Sequence, residues 1–312
     1  MVKILIMGAT GFLGYNLMNR LYPKLKENIT CFSRNTSTLK NVFTMANCID
    51  GDYTYEYDFD ALLKNQEVVY HLISTTYPAT SNRDIAAELS DNVLVTIKFL
   101  NACHRQNVKK IVFVSSGGTV YGNDVSCPIK ESDVTNPINS YGIQKLTIEK
   151  LLYLYRHVYG LDYRIIRLSN PYGPHQRISN GLGVITNFVN KAICGQPITV
   201  YGDGSVVRDF IYVDDAITGI MKITEYDGRM KLFNLGSGEG KSIKQIIDEI
   251  ELCFGHKLKV NYVASRDVDV PINILDMQLY NDEIGSLQYT TLPEGIKKTL
   301  NFQLSQRGLI NA

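Results

Sequence analysis

The chain has 312 residues, of which 45% are hydrophobic, and its 32 basic and 31 acidic residues leave a net charge of +1. This composition supplies a large core and argues against intrinsic disorder, and the near-neutral charge argues against nucleic acid or an anionic membrane as the main partner. The six cysteines lack any metal-site spacing, which favours a reduced, cytoplasmic protein without a structural metal, and no apolar stretch is long enough to span a membrane.

Apolar runs alternate with helical patterns through the first 170 residues. Five short runs predict strands that are buried on both faces: Val2–Met7, Ile29–Phe32, Val68–Ile73, Lys110–Ser115 and Arg164–Leu168. Between them, a helical period predicts helices at Leu13–Leu25, Ile85–Gln106 and Tyr141–Tyr159. This alternation predicts an α/β fold built on a Rossmann-type, doubly wound parallel sheet.

The pattern changes after Asn170. The segment Asn170–Gly183 is polar and rich in proline and glycine, which predicts a loop. Helices are predicted next at Val184–Cys194 and Asp214–Thr224, and strands at Ile198–Tyr201 and Leu232–Leu235. We therefore expect two interleaved lobes, one formed by residues 1–170 and about 212–237, the other, a smaller α/β lobe, by about 171–211 and 238–312.

A glycine triplet follows the first predicted strand and opens the first helix. Glycines at this spacing allow a tight turn and let backbone N–H groups approach a pyrophosphate at the helix N-terminus. The motif predicts a dinucleotide cofactor, and the residues expected to hold it are Gly8, Thr10, Gly11, Phe12, Leu13 and Gly14.

The end of the second predicted strand indicates which dinucleotide is bound. An acidic residue there would bind the ribose 2′-OH of NAD, whereas an arginine accommodates the 2′-phosphate of NADP. The chain has Ser33 followed by Arg34 and no carboxylate. This favours NADP(H), with NAD(H) as the alternative if Arg34 is only a solvated loop charge.

Tyr141 and Lys145 lie one turn apart on a predicted helix, so both side chains point to the same side. A nearby cation stabilises a phenolate, lowers the tyrosine pKa and makes the phenol a usable acid or base near neutral pH. The pair therefore predicts acid/base chemistry.

These motifs form one ordered set with three further segments, Ser115–Gly122, Asn170–Pro174 and Gly202–Gly204 with Arg208 and Asp209. The set resembles the extended short-chain dehydrogenase/reductase family, specifically the UDP-glucose 4-epimerase-like enzymes that act on nucleotide sugars. The resemblance runs along nearly the whole chain.

The resemblance implies roles around the reacting carbon and the cofactor. Tyr141 is the expected acid/base, and Lys145 the residue that holds the nicotinamide ribose and tunes Tyr141. The family's catalytic Ser or Thr is replaced by Gly117, so Ser116 or Thr119 is expected to supply the hydroxyl. Two further residues are expected at the cofactor, Asp52 at the adenine and Asn92 on the following long helix.

The resemblance also implies a substrate-binding set. Asn170, Arg208 and Arg266 are expected to hold the diphosphate, because two arginine forks can each bind two phosphate oxygens. Three more residues are expected to line the substrate: Val184, Tyr201 against the base, and Asn273 as a wall beside the sugar. A core role for Tyr201 and an Arg208–Asp209 ion pair remain alternatives.

Two activities at C4 of a nucleoside-diphosphate hexose remain open. The Ser33–Arg34 pair favours an NADPH-dependent reductase of a 4-keto sugar over an NAD-dependent 4-epimerase. A regulatory protein without turnover is disfavoured because both Tyr141 and Lys145 are present, and a 4,6-dehydratase because no acidic pair accompanies Thr119. The expected partners are a UDP or dTDP sugar and, by resemblance, a second copy of the chain docked through the helix that bears Tyr141.

Overall fold

Six apolar segments and the more exposed Asn47–Asp50 form a seven-stranded parallel sheet, in the order Leu232–Leu235, Asp162–Leu168, Lys110–Ser116, Val68–His71, Ile4–Met7, Ile29–Ser33 and Asn47–Asp50. The computed structural model of the protein describes residues 2–178, 183–265 and 270–310. Its strands are β1 Ile4–Met7, β2 Ile29–Ser33, β3 Asn47–Asp50, β4 Val68–His71, β5 Lys110–Ser116, β6 Asp162–Leu168, β7 Asn170–Tyr172, β8 Ile198–Tyr201, β9 Val207–Tyr212, β10 Leu232–Leu235, β11 Gly240–Ser242, β12 Val260–Val263 and β13 Ile272–Asn273.

Helices cover both faces of this sheet, because each parallel pair of strands needs a crossover connection. The helices are α1 Phe12–Leu25, α2 Ser37–Val42, α3 Phe59–Leu63, α4 Ile85–Leu89, α5 Val95–Arg105, α6 Ser140–Tyr159, α7 Val184–Ile193, α8 Val213–Glu225, α9 Ile243–Phe254, α10 Gln278–Ile284 and α11 Leu292–Ser305. A 3₁₀ turn follows α1 at Lys26–Asn28, and a π-helical turn, Ser90–Leu94, joins α4 to α5.

Alternate residues of the central strands enter two separate cores. Ile4 and Ile6 of β1 belong to the core that also contains the buried face of α8, whereas Leu5 and Met7 belong to the core beneath α5 and α6. This is the burial expected of strands covered on both sides. It confirms the predicted α/β class and the doubly wound parallel sheet.

The segments after Asn170 build two smaller sheets. Strand β9 pairs with β7 and β13 in parallel and with β11 in antiparallel fashion. Strand β12 pairs with β8 in parallel. Strand β10 returns to the large sheet beside β6, so the chain crosses between the sheets as the expected interleaved lobes require; the division into those lobes stays a prediction.

Two of the predicted elements differ from the structure. The expected loop at Asn170–Gly183 begins as strand β7, because Asn170–Tyr172 finds backbone partners in β9. The expected continuous helix at Ile85–Gln106 is interrupted by the π-helical turn, within which the Asn92 side chain donates to the Glu88 carbonyl at 2.9 Å. Strand β9 was not predicted, since Val207–Tyr212 contains charged residues that mask its apolar alternation.

Candidate active site

The glycine triplet forms a tight cradle between β1 and α1. Gly8 has a φ of +87° and its N–H donates to the Phe32 carbonyl at 2.8 Å. A Cβ atom at Gly14 would lie 2.2 Å from the Gly8 carbonyl oxygen, so only glycine allows the helix to start this close to the strand. The cradle presents the N-terminus of α1 at the carboxyl edge of the sheet, where a dinucleotide pyrophosphate binds.

The end of β2 contributes a hydroxyl and a guanidinium. Ser33 is buried, and its Oγ accepts a hydrogen bond from the Thr10 N–H at 3.1 Å. Arg34 is exposed. Ser33 therefore holds the glycine loop in place, and Arg34 is the exposed group at this edge.

The two other predicted cofactor residues lie apart. Asp52 is exposed and follows β3 by two residues. Asn92 is buried, where its Oδ1 accepts from the Thr75 N–H at 3.0 Å and its Nδ2 donates to Thr75 Oγ1 at 2.7 Å. Asn92 thus fixes the loop that follows β4.

Helix α6 brings Tyr141 and Lys145 together. Asn139 is the N-cap of this helix, and its side-chain oxygen accepts a hydrogen bond from the Gly142 N–H at 2.8 Å. Lys145 Nζ donates to the Val114 carbonyl at 2.9 Å and lies 5.6 Å from the centroid of the Tyr141 ring. The pair predicted from the sequence therefore shares one face of the helix, against the end of β5.

The expected lowering of the Tyr141 pKa is wrong for this structure. Burial raises the pKa of Tyr141 to about 12, and the neighbouring Ser116 hydroxyl offsets only part of this increase. Burial also lowers the pKa of Lys145 to about 8, against the opposing effect of Glu149. The Lys145 ammonium donates to a backbone carbonyl, and burial is the larger effect on the Tyr141 pKa.

The loop after β5 carries the candidate hydroxyls. The Ser116 side chain forms a hydrogen bond with the Tyr141 phenol, which lowers the Tyr141 pKa. Thr119 Oγ1 is buried without a hydrogen-bond partner among the described residues, and the Thr119 carbonyl lies against Gly142. A Cβ atom at Gly118 would meet nothing within 4 Å, which leaves open space at this end of the loop.

The residues predicted to bind the substrate gather on β9 and its neighbours. Asn170 Nδ2 donates to the Asp209 carbonyl at 2.9 Å, and Arg208 Nη1 donates to the Val207 and Val270 carbonyls at 2.9 and 2.6 Å. Asn273 pairs with Arg208 across β9 and β13, and its Nδ2 donates to the Gly117 carbonyl at 3.2 Å. Strand β13 thereby connects the loop after β5 to the strand that carries Arg208.

The remaining predicted substrate residues occupy different settings. Tyr201, at 46% exposure, is no core residue, and Val184 is half-buried at the start of α7. Arg266 lies outside the described residues. The carboxylate of Asp209 is fully buried and accepts hydrogen bonds from the N–H and the Oγ of Ser237, each at 2.8 Å. These bonds tie β9 to the turn that follows β10.

Sequence reasoning missed a buried ion pair beneath Lys145. Arg167 donates to both carboxylate oxygens of Glu149, at 3.1 and 2.7 Å, and Ser115 Oγ donates to Glu149 Oε1 at 2.5 Å. The signal was present in the sequence, because Glu149 follows Lys145 by one helical turn. Within the described ranges, no group of three or more metal-ligating side chains is assembled, and no helix is long and apolar enough to cross a membrane.

Comparison with known proteins places these features in context. Residues 4–236 match the model of the NAD-dependent epimerase/dehydratase family. A Methanocaldococcus jannaschii protein provisionally named UDP-glucose 4-epimerase is 31% identical over 304 residues, covering 96% of this chain and 97% of its own. An Escherichia coli dTDP-4-dehydro-6-deoxyglucose reductase is 34% identical over 237 residues, covering 76% and 74%.

Two solved structures share the whole fold. The UDP-glucose 4-epimerase of Thermotoga maritima with UDP-glucose superposes with a TM-score of 0.91 at 29% identity, covering 98% of this chain and all of its own. The UDP-glucuronic acid 4-epimerase of Bacillus cereus with UDP-glucuronic acid and NAD has a TM-score of 0.88 at 25% identity, covering 96% and 98%.

Proposed function

The chain belongs to the NAD-dependent epimerase/dehydratase family and is an enzyme of that family, and on this premise we propose that it inverts C4 of a UDP-hexose as a 4-epimerase. The observation that carries the proposal is the position of the Tyr141 phenol. It lies beside Ser116 at the end of β5, near the open space at Gly118. The similarity to UDP-sugar 4-epimerases along the full chain supports the same activity.

The proposed cofactor is NAD rather than the NADP(H) that the sequence favours. The cradle formed by Gly8 and Gly14 has the shape that a dinucleotide pyrophosphate requires. The Ser33 hydroxyl is already engaged with Thr10, which leaves Arg34 alone to select a 2′-phosphate. The B. cereus structure that contains NAD also favours NAD. When bound, NAD would take a hydride from C4 and give it back.

Within this proposal the chain's own residues manage the proton at the C4 oxygen. In its deprotonated form Tyr141 takes the C4 hydroxyl proton as the hydride leaves C4, and it returns that proton to the C4 oxygen when the hydride comes back. Ser116 donates a hydrogen bond to the same oxygen in place of the hydroxyl missing at Gly117. Lys145, fixed by the Val114 carbonyl, orients the nicotinamide ribose and supplies positive charge near Tyr141. The cofactor ribose and adenine would be bordered by Asn92 and Asp52.

The smaller sheets are proposed to hold the nucleotide. Asn170 and Arg208 lie on neighbouring strands β7 and β9, so their amide and guanidinium can bind the diphosphate from adjacent positions; Arg266 is proposed as a second guanidinium. Tyr201, whose ring is exposed, and Val184 are proposed to contact the uracil. Asn273 is proposed as the wall beside the sugar.

A 4-ketoreductase is the second candidate. Two observations favour it: the similarity to the E. coli dTDP-4-dehydro-6-deoxyglucose reductase, and a Tyr141 pKa of about 12, which suits a proton donor. A reductase consumes one reduced cofactor for each product, whereas an epimerase regenerates its cofactor in every turnover.

Cofactor stoichiometry separates these candidates. The purified protein is supplied with UDP-glucose and with NAD⁺ at one equivalent per protein, and C4-inverted product is quantified by chromatography. A 4-epimerase forms many equivalents of product, whereas a reductase forms none from this substrate and instead oxidises NADPH with a dTDP-4-keto-6-deoxy sugar in a one-to-one ratio.

We also propose a cytoplasmic homodimer. Helix α6 leaves the large apolar side chains of Tyr153, Leu154 and Val158 exposed at 65%, 48% and 54%, a surface suited to a second copy of α6. The six cysteines are free, as in a reducing compartment. Light scattering should give twice the 35.1 kDa chain mass, and Leu154→Glu should return the protein to one chain mass.

A further inference from the structure

Helix α6 carries an ionisable side chain, Glu149, on the face that bears Tyr141 and Lys145. Glu149 follows Lys145 by one turn, so Tyr141, Lys145 and Glu149 form a row directed at the end of β5. The proposed reaction uses the first two and leaves a role for the third unassigned.

Glu149 is buried and tightly held. Its side chain is 3% exposed, and the Arg167 side chain that pairs with it is 4% exposed. Both carboxylate oxygens accept from Arg167, and Oε1 also accepts from Ser115. A carboxylate with this many charge-assisted bonds is fixed in position.

Lys145 is buried, and burial disfavours the charge of its ammonium. It is 6% exposed, and its ammonium is held by the Val114 carbonyl at 2.9 Å and by the Phe113 ring at 4.8 Å from the centroid. The titratable side chains that line the small cavity beside it are Tyr53 and His71. Burial raises the pKa of Tyr53 above its usual range and lowers the pKa of His71 to about 3, so neither supplies a negative charge.

Among the described residues, Glu149 is therefore the carboxylate whose negative charge favours the cationic form of Lys145. Burial lowers the pKa of Lys145 to about 8, and Glu149 limits that fall. Arg167, on β6, faces Glu149 and is the other charged group packed against this row; it donates a hydrogen bond to each carboxylate oxygen of Glu149.

We propose that Glu149 is a positioning residue of the active site: locked by Arg167 and Ser115, its carboxylate keeps Lys145 cationic beneath the Tyr141 phenol. The inference rests on the proposed function only for what the Lys145 charge does in the reaction. The electrostatic part can be tested without substrate or cofactor.

The direct test is a titration of Lys145 by NMR. The protein is labelled with ¹³C at the lysine ε-carbon, and the Lys145 signal is assigned by its absence in Lys145→Arg. Glu149→Gln keeps the size of the side chain and removes its charge, so the Lys145 pKa should fall by about one unit, a tenfold change in its protonation equilibrium.

Matched variants separate charge from packing. Ser115→Ala removes a hydrogen bond from the same carboxylate but leaves its charge and its pairing with Arg167, so the Lys145 pKa should stay within about 0.3 units of wild type. Glu149→Asp keeps a charge at this position and should preserve most of the effect. If Glu149→Gln leaves Arg167 unpaired and does not fold, Glu149→Gln combined with Arg167→Gln removes both buried charges. This double variant should show a smaller fall in the same direction, because the loss of the Arg167 charge offsets part of the effect.

The activity measurement follows the same variants. Loss of the Lys145 proton at lower pH should move the alkaline limb of the kcat profile down by about one pH unit in Glu149→Gln, with no such movement in Ser115→Ala. A folded Glu149→Gln or double variant whose Lys145 pKa matches wild type would overturn the proposal. A shifted Lys145 pKa in a protein that turns over no nucleotide sugar would instead contradict the proposed function alone.

Discussion

Leu275 packs directly against Gly117. A Cβ atom added at Gly117 would lie 2.6 Å from Leu275 Cδ1 and 3.2 Å from the Arg167 carbonyl oxygen. Leu275 is fully buried among Val120, Tyr121 and Ile129. The space that a side chain at position 117 would fill is therefore occupied by a leucine methyl group, and under the proposed function the hydroxyl comes from a neighbouring residue.

This packing predicts that the missing hydroxyl cannot simply be restored. Gly117→Ser should lower the free energy of unfolding by about 1–3 kcal/mol through overpacking, as measured by urea denaturation. Gly118→Ser is the matched control: its Cβ meets nothing within 4 Å, and the expected change is within about 0.5 kcal/mol. Equal losses in the two variants would mean that Leu275 does not fill this space.

Tyr141→Phe removes only the ionisable hydroxyl. Because general acid/base assistance is typically worth about 10²–10⁴-fold in rate, kcat for epimerisation should fall by that factor. The helix and the Lys145–Val114 contact should persist, so the thermal midpoint should change little. Tyr153→Phe, which removes an exposed hydroxyl from the same helix, should leave kcat unchanged. A Tyr141→Phe enzyme with more than a third of wild-type turnover would exclude Tyr141 as the acid/base.

Ser116 and Thr119 can be distinguished by their loss of rate. The Ser116 hydroxyl forms a hydrogen bond with the Tyr141 phenol. Ser116→Ala should therefore lower kcat about 10²-fold, which is the scale of one lost hydrogen bond to the reacting oxygen. Thr119→Val keeps the shape of the side chain and should affect kcat much less. The reverse order would transfer the role to Thr119, whose buried Oγ1 has no partner within the described structure.

Arg34 is expected to matter for one dinucleotide only. Arg34→Ala should weaken NADP(H) by about 1.5–3 kcal/mol, the scale of a charged hydrogen bond, and should leave the affinity for NAD within twofold. Calorimetric titration of both cofactors measures this difference, and wild-type protein should bind NAD more tightly than NADP. A wild-type preference for NADP, abolished in Arg34→Ala, would instead favour the reductase.

The sequence predicted six of the seven strands of the large sheet because they are mostly apolar along their length, whereas β3, Asn47–Asp50, is polar and more exposed and was missed. The runs at Ile29 and Lys110, for example, became β2 and β5 almost as predicted. Strand β7 and the π-helical turn were missed because they depend on partners that are distant in the chain: β7 pairs with β9, and the Asn92 side chain bonds to Thr75.

The candidate site was predictable to the same degree. The spacing of Tyr141 and Lys145 places both on one helix face without any knowledge of the fold. The direction of the Lys145 ammonium toward Val114 and the raised Tyr141 pKa both depend on burial in the folded protein. Likewise, the contact between Gly117 and Leu275 joins positions far apart in sequence, and spacing carries no information about it.

The measurement that tests the central claim most directly is the fate of the hydrogen at C4. UDP-[4-²H]glucose is incubated with the enzyme and NAD⁺ in ordinary water, and the C4-inverted product is examined by ¹H NMR. Removal and return of the same hydride predicts UDP-galactose that retains deuterium at C4. A failure to form the inverted sugar, or inverted sugar with hydrogen at C4, would contradict the assignment as a 4-epimerase.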